Sequence, residues 1–368
     1  MRRAAMVPED ALPVMTGVTP PWPGEREVVD GTGIFVRRTP ATVPDAPPAL
    51  YVHGLGGSSA NWTDLAHLLA DRVDGAAIDL PGFGRSDPTE SYSVAALAGW
   101  VIRWIEHAGR GPVHLSGNSL GGAICVRVAG LRPDLVRTLT LISPAMPFLD
   151  PRRSVHGRLL PLLMVPRADR LAARRLATID PDVLARQVIE ACYADPSVIP
   201  EERWLEAIEE VRLRYEVPTY LDAYLRTLRG LVGSFVRAYL PGEASMWRIA
   251  TRITAPTLVV TGRQDRLVDV RVAPQVARVI PDSRLLVLDK VGHVAQMEVP
   301  RTVARAVRGL LEEPGVGGPV PVGAAHAGRW VRVGAGSQLV ANATERARRV
   351  LSRPWRTLPG RNLPGVAP

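Results

Sequence analysis

Short apolar runs alternate with helical patterns along much of this chain. Runs such as "ALYVHG" at 49–54, "PVHLSG" at 112–117 and "APTLVVTG" at 255–262 are typical of buried strands. Between such runs, segments 61–73 and 93–109 place apolar residues on one face of a helix. This alternation predicts an α/β fold with a mostly parallel, doubly wound sheet that is covered by helices.

The alternation stops between about 151 and 250, where the patterns are helical only, as in "PEERWLEAIEEVRLRY". Because strand patterns resume at 255, we interpret the helical stretch as a cap inserted after the sixth strand. The chain then divides into five parts, which are an N-terminal segment (1–25), a first part of the sheet domain (26–150), the helical cap (151–250), a second part of the sheet domain (251–313) and a basic low-complexity tail (314–368).

The net charge of +9 is concentrated in the tail. Residues 314–368 contain eight arginines and one acid, Glu345, and carry +7, which leaves +2 for residues 1–313. Binding to nucleic acid would need basic residues on the folded body, so the distribution argues against that function. A weak contact of the Arg-rich tail with acidic lipid or with a partner protein stays an open hypothesis.

Cysteine content and the N-terminal residues bear on the compartment. Cys125 and Cys192 are too few for a disulfide framework and are expected to be reduced thiols. Pro8, Glu9 and Asp10 interrupt the apolar residues near the start, so we expect no secretory signal. No segment reaches the roughly 18 apolar residues of a membrane-spanning helix. A cytoplasmic protein is the expectation.

The stretch "HLSGNSLGGA" at 114–123 predicts a nucleophilic serine. Ser119 lies where a strand ends and a helix begins, and a tight turn there would present its hydroxyl. Such a turn strains the serine backbone and leaves little space for side chains two residues before and after it. Gly117 and Gly121, with Asn118 between Gly117 and the serine, satisfy that requirement.

An oxyanion site needs two backbone donors close to this serine. The helix that starts at Leu120 directs free N–H groups towards Ser119. The glycine-rich stretch "HGLGGSS" at 53–59 follows an earlier strand and allows the backbone to approach the serine. We therefore predict the Leu55 and Leu120 N–H groups as the oxyanion donors.

A serine nucleophile also needs a base and an orienting acid. Among the seven histidines, His293 follows the last strand on a loop, at the sheet edge where reactive groups of parallel sheets collect. Asp265 lies just beyond another strand on the same edge, and the order Ser, Asp, His suits this architecture. Asp269 is the rival acid, and Asp150 is a weaker one.

The chain resembles the α/β-hydrolase superfamily over roughly residues 26–313. The matching pieces, in the family's order, are "HGLGGSS" at 53–59, "DLPGFGRSD" at 79–87, "GNSLGG" at 117–122, "GRQD" at 262–265 and "GH" at 292–293. The resemblance implies a hydrolase that uses no cofactor or metal, with Ser119 as nucleophile, His293 as base and Asp265 as orienting acid. The sheet-domain parts 26–150 and 251–313 would then be the hydrolase core.

The resemblance makes an esterase- or lipase-like hydrolase of hydrophobic carboxylic esters the leading expectation. "GNSLGG" and "GHVAQMEVP" are also similar to the carbon–carbon bond hydrolases of aromatic-ring degradation, although those usually carry an aromatic residue where this chain has Val294. An acyltransferase and a binding scaffold without chemistry are further alternatives. The cap leucines and Met164 in "LLPLLMVP" at 159–166 are consistent with a hydrophobic substrate or with ordinary cap core.

Overall fold

The computed structural model describes residues 1–148, 178–238 and 245–316. These residues belong to one compact unit, residues 1–319, and a second unit, residues 320–368, lies outside the described residues. Three other parts of the sequence prediction also lie outside the described residues: Asp150, the weakest of the three candidate acids, the apolar cap run at 159–166 and nearly all of the tail.

Nine strands of the described chain form one sheet in the order β1-β9-β8-β7-β6-β4-β5-β3-β2. The strands are β1 (Arg2–Arg3), β2 (Gly24–Val29), β3 (Thr32–Thr39), β4 (Pro48–Val52), β5 (Asp74–Ile78), β6 (Val113–Asn118), β7 (Val136–Ile142), β8 (Thr257–Gly262) and β9 (Ser283–Leu288). Only the β2–β3 and β3–β5 pairs are antiparallel. The predicted mostly parallel sheet of an α/β-hydrolase fold is thus confirmed.

Ten α-helices lie in the described residues. They are α1 (Thr63–Leu69), α2 (Val94–Ala108), α3 (Leu120–Leu131), α4 (Pro181–Cys192), α5 (Glu201–Glu216), α6 (Tyr220–Arg237), α7 (Met246–Ala250), α8 (Val272–Val279), α9 (Ala295–Glu298) and α10 (Pro300–Leu311). None of these described helices is long and apolar enough to cross a lipid bilayer.

Both faces of the sheet are buried, which explains its doubly wound form. On the central strand β4, Leu50 and Val52 join the apolar cluster that includes residues of α2, α3 and α8. Ala49 and Tyr51 alternate with them and join the cluster on the opposite face, with residues of α1 and α10. Because successive strand residues point to opposite faces, one continuous apolar run supplies both cores.

The helical insertion follows β7, which is the sixth strand when β2 is counted as the first. Its described part contains α4, α5 and α6. The short helix α7 also falls inside the predicted cap range of 151–250, and it contacts α3 and α8 beside the sheet. The exact limits of the cap stay a prediction.

The N-terminal segment extends the sheet domain, which the sequence patterns did not indicate. Strand β1 pairs in parallel with β9, with Arg2 opposite Arg284. Beyond it, the Arg305 Nε donates to the Val7 carbonyl at 2.7 Å. The buried Arg308 of α10 donates to the Ala11 carbonyl at 2.5 Å. Arginines of the last described helix therefore hold this segment on the body.

Close packing of the N-terminal segment on α10 gives a test of that contact. A Cβ at Gly309 would overlap the Ala5 carbonyl, whereas a Cβ at Gly99 of α2 would meet only the flexible Arg103 side chain at 3.6 Å. Both glycines lie in helices, so the higher helix propensity of alanine should stabilise either variant by about 1 kcal/mol. We expect Gly99→Ala to raise the free energy of unfolding by up to about 1 kcal/mol and Gly309→Ala to lower it by roughly 1–3 kcal/mol.

Urea unfolding of the two variants measures this difference directly. Equal stabilisation by both alanines would show that the segment does not pack on α10 in solution.

Candidate active site

The turn from β6 into α3 strains the backbone of Ser119. Its φ of 55° and ψ of −116° lie in a region that L residues rarely adopt. A Cβ at Gly117 would lie 2.5 Å from the Gly121 carbonyl oxygen, and a Cβ at Gly121 would overlap the Val52 carbonyl. The two glycines are thus required by close contact of the turn with itself and with β4, as the spacing predicted.

Backbone hydrogen bonds fix this turn on both sides. The Ser119 N–H donates to the Ile142 carbonyl at 3.0 Å, and the Ala145 N–H donates to the Ser119 carbonyl at 2.9 Å. The buried Asn118 amide donates to the carbonyls of Ile142 and His293, both at 3.1 Å. Asn118 therefore joins the serine turn to the histidine loop, a contact that the sequence could not show.

The predicted oxyanion donors lie at the same turn. A Cβ at Gly54 would be 3.2 Å from the Ser119 Cβ, so the loop after β4 passes directly beside the serine. Among the described backbone hydrogen bonds, none uses the Leu55 N–H. Leu120 is the first residue of α3, where an N–H has no intrahelical acceptor.

A buried histidine contacts the backbone of the loop after β4. His53 is fully buried; its Nε2 accepts from the Leu80 N–H at 2.9 Å, and its Nδ1 lies 2.7 Å from the Gly54 carbonyl. Burial lowers the pKa of this imidazole, so it stays neutral. His53 thus shapes the loop.

His293 and Asp265 meet at the carboxyl ends of β8 and β9. The His293 Nδ1 lies 2.9 and 3.0 Å from the two Asp265 carboxylate oxygens. The His293 side chain is 4% exposed and that of Asp265 is fully buried. Asp265 also accepts from the Leu267 and Val268 N–H groups at 2.8 and 2.9 Å.

These donors keep the buried carboxyl ionised. Burial by itself would raise the pKa of Asp265, but the adjacent His293 and the two backbone N–H donors outweigh burial and hold the pKa below its usual range. The rival Asp269 instead accepts hydrogen bonds from the Arg271 guanidinium and backbone. The structure thus brings Asp265 to His293, and Asp269 to an arginine.

The cap is attached to the histidine loop. The His293 N–H donates to the Cys192 carbonyl, at the end of α4, at 2.6 Å. The Glu298 carboxylate accepts from the Gly292 N–H at 2.7 Å and from the Ala194 N–H at 3.0 Å. Nothing in the sequence pattern singled out Glu298, since its partners are backbone groups far away in the chain.

A cavity of about 390 Å³ connects these elements. Ser119, His293 and Leu55 line it. Cap residues line it as well, and besides four charged side chains of α5 they include the apolar residues Val188, Ile189, Val211, Leu228, Leu231 and Phe235. No cluster of three His, Cys, Asp or Glu side chains suited to a metal ion occurs in the described residues. The cavity can therefore hold an apolar molecule against the serine.

The family model for the alpha/beta hydrolase fold matches residues 47–300. This chain belongs to the α/β-hydrolase family. The matched residues include the serine turn, the acid and the histidine loop. The described chain is therefore an α/β-hydrolase.

Relatives and solved structures share this fold. The dihydrolipoyllysine-residue acetyltransferase component of an acetoin cleaving system from Pseudomonas putida is 28% identical over 268 residues, which cover 72% of this chain and 64% of the relative. Monoacylglycerol lipase ABHD6 of Rattus norvegicus is 25% identical over 275 residues, 72% of this chain and 75% of the relative.

A solved structure has the same fold. The 2-hydroxy-6-oxo-6-phenylhexa-2,4-dienoate hydrolase from Rhodococcus sp. strain RHA1 superposes with a TM-score of 0.61 at 23% identity, over 78% of this chain and 98% of that one. At that identity the likeness shows the fold alone. The chain spans only 64% and 60% of the two acetyltransferase-component relatives that it matches.

The lowered pKa of Asp265 predicts a dependence of stability on acid. Because the folded-state pKa lies below the value of about 3.9 for a free Asp, the ionised carboxyl stabilises the fold above that pH. This contribution is lost as the pH falls through the folded-state pKa. We expect wild type to lose more thermal stability than Asp265→Asn between about pH 5 and pH 2, measured by circular dichroism.

The exposed Asp289, which pairs with Arg263, offers a matched control. Asp289→Asn should follow the wild-type pH dependence. If Asp265→Asn and wild type lose stability in parallel, the buried carboxyl is not held ionised by its neighbours.

Proposed function

We propose that this chain hydrolyses carboxylic esters of hydrophobic substrates through an acyl-enzyme. In this proposal Ser119 is the nucleophile, His293 the general base and Asp265 the acid that orients the histidine. The hydrogen bond of His293 to the buried Asp265, in the cavity that Ser119 also lines, carries the proposal.

Proton transfer follows from the tautomer that Asp265 selects. A carboxylate held ionised accepts a hydrogen bond, so the His293 Nδ1 carries the proton and Nε2 stays a free acceptor. Nε2 can then take the Ser119 proton as the hydroxyl attacks the ester carbonyl. Asp265 stabilises the imidazolium that results, and His293 returns the proton to the leaving alcohol.

In this proposal two backbone N–H groups stabilise the developing oxyanion. The donors are the N–H of Leu55, in the loop that passes beside Ser119, and the N–H of Leu120 at the start of α3, where the helix dipole favours negative charge. Water activated by His293 then attacks the acyl-enzyme and releases the acid. Each step uses groups of this chain, with no cofactor.

The cap wall supports the substrate class. Apolar residues such as Val211, Leu228 and Phe235 line the cavity above Ser119. Their burial against an apolar acyl or alcohol group contributes about 25 cal/mol per Å² of surface removed from water. A hydrophobic ester therefore gains binding energy there that a small polar ester does not.

The acceptor of the acyl group separates hydrolysis from its nearest alternative. An acyltransferase would deliver the acyl group to another alcohol or thiol, and the similarity to an acetyltransferase component keeps this candidate open. Product analysis with added alcohol distinguishes the two: hydrolysis yields mainly the free acid, whereas a transferase yields mainly the new ester. A ring-cleavage dienone in the same panel tests carbon–carbon hydrolysis.

Replacing Ser119 tests the nucleophile. We expect Ser119→Ala to lower kcat/KM for 4-nitrophenyl esters by a factor on the order of 10⁴, with the melting temperature retained. Ser143 is a suitable control, since it lies just beyond β7, is fully buried and has an Oγ without a partner in the described residues. Ser143→Ala should hydrolyse the esters at nearly the wild-type rate, and near wild-type turnover by Ser119→Ala would refute the proposal.

The acid is tested by a second matched pair of variants. Asp265→Asn removes the acceptor that fixes the His293 tautomer, so kcat should fall by a factor on the order of 10⁴. Asp269→Asn weakens the ion pair with Arg271 and leaves the Asp265–His293 contact in place, so it should change kcat by less than about tenfold. If steady-state kinetics show equal losses of kcat in the two variants, Asp265 does not have the orienting role.

A further inference from the structure

Arg214 brings a positive charge into the cavity from the cap. It lies near the end of α5 and lines the same cavity as Ser119 and His293. Its guanidinium carbon is 5.9 Å from the centre of the Tyr220 ring. A Cβ at Gly56, in the loop after β4, would lie 3.2 Å from the Tyr220 hydroxyl. Tyr220 therefore lies next to both the Arg214 guanidinium and the predicted oxyanion loop.

No acidic side chain of the described residues forms an ion pair with Arg214. Arg203, the other arginine among the described cavity residues, pairs with Asp64 and Glu206, both at 2.5 Å. Glu210 lies one turn before Arg214 on α5 and also lines the cavity, but the ion pair it forms is with Arg85, at 3.6 Å. Among the described ion pairs, none includes Arg214.

The field of Arg214 reaches groups around the reaction centre. Burial raises the pKa of the Cys192 thiol to about 12, Asp265 adds to that rise and the Arg214 cation opposes it. Burial also raises the pKa of Tyr220, again with Arg214 acting in the opposite sense. The guanidinium is thus close enough to act on charge near the histidine loop as well as near the oxyanion loop.

A half-buried cation that forms no ion pair, in a cavity whose cap side is largely apolar, is costly, and a carboxylate offsets that cost. The planar guanidinium can give a carboxylate two parallel hydrogen bonds. A neutral ester leaves the cation unpaired, whereas an anionic substrate pairs with it. The cavity therefore favours an apolar molecule with one acidic end.

We propose that the substrate is an ester with a carboxylate group, which Arg214 binds while the ester carbonyl lies at Ser119. The proposal rests on the proposed ester hydrolysis and narrows its substrate class. Arg214 serves as a specificity-determining residue of the cap, and the apolar wall binds the chain or ring between the two ends.

Two pairs of esters of matched size test the preference. Mono-4-nitrophenyl adipate and 4-nitrophenyl hexanoate differ in a carboxylate on the acyl side, and 4-acetoxybenzoate and 4-methylphenyl acetate differ in one on the alcohol side. We expect wild type to prefer the anionic ester of at least one pair. Arg214→Met should lower kcat/KM for that ester by about 30-fold or more and for its neutral partner by less than about threefold.

Two further variants separate charge at this position from general effects. Arg214→Lys keeps the charge but loses the two-pronged hydrogen bond, so it should fall between wild type and Arg214→Met. Arg212 is exposed on the same helix and pairs with Asp182 at 3.1 Å, and Arg212→Met should keep the wild-type preference. Equal losses of Arg214→Met on both members of each pair would overturn the proposal.

Binding without turnover separates this proposal from the esterase proposal. Adipate and benzoate can be titrated into Ser119→Ala by calorimetry, whether or not wild type hydrolyses the four esters. Weaker binding of one anion, by about 30-fold, to Ser119→Ala with Arg214→Met supports the arginine site even if ester hydrolysis fails. Undetectable binding of both anions, or binding unaffected by Arg214→Met, contradicts it even if the esters are hydrolysed.

Discussion

The strained turn between β6 and α3 is the constraint on which the rest of this structure depends. Ser119 adopts its unusual backbone angles only because Gly117 and Gly121 let the turn contact itself and the end of β4. Those contacts bring the loop after β4 beside Ser119, at the start of α3. The parallel sheet then brings His293 and Asp265 to the same edge from the other half of the chain.

The cap and the histidine loop are joined by backbone hydrogen bonds and by one carboxylate. His293 donates its backbone N–H to the last residue of α4, and Glu298 bridges Gly292 and Ala194. A shift of α4 therefore changes the position of the histidine backbone. Substrate contacts on the cap wall, including those proposed for Arg214, can thus affect the alignment of the base as well as binding.

The sequence predicted the sheet, the serine turn and the Asp265–His293 pair, because each follows from short-range patterns and from the meeting of parallel strand ends. It did not indicate β1, since Arg2 and Arg3 form no apolar run and pair only because β9 leaves an edge open. It also missed Glu298, whose partners are backbone groups on distant segments. The role proposed for Arg214 depends on which arginines form ion pairs with acidic side chains, and the sequence alone does not show those pairs.

The central claim is that Ser119 is the activated hydroxyl of this chain, and covalent labelling tests it most directly. The intact protein is treated with a fluorophosphonate, digested, and its modified peptides are sequenced by mass spectrometry. We expect a single rapid modification on Ser119, which becomes much slower in His293→Ala because the base is absent. Labelling of another residue, or labelling of Ser119 at the same rate without His293, would contradict it.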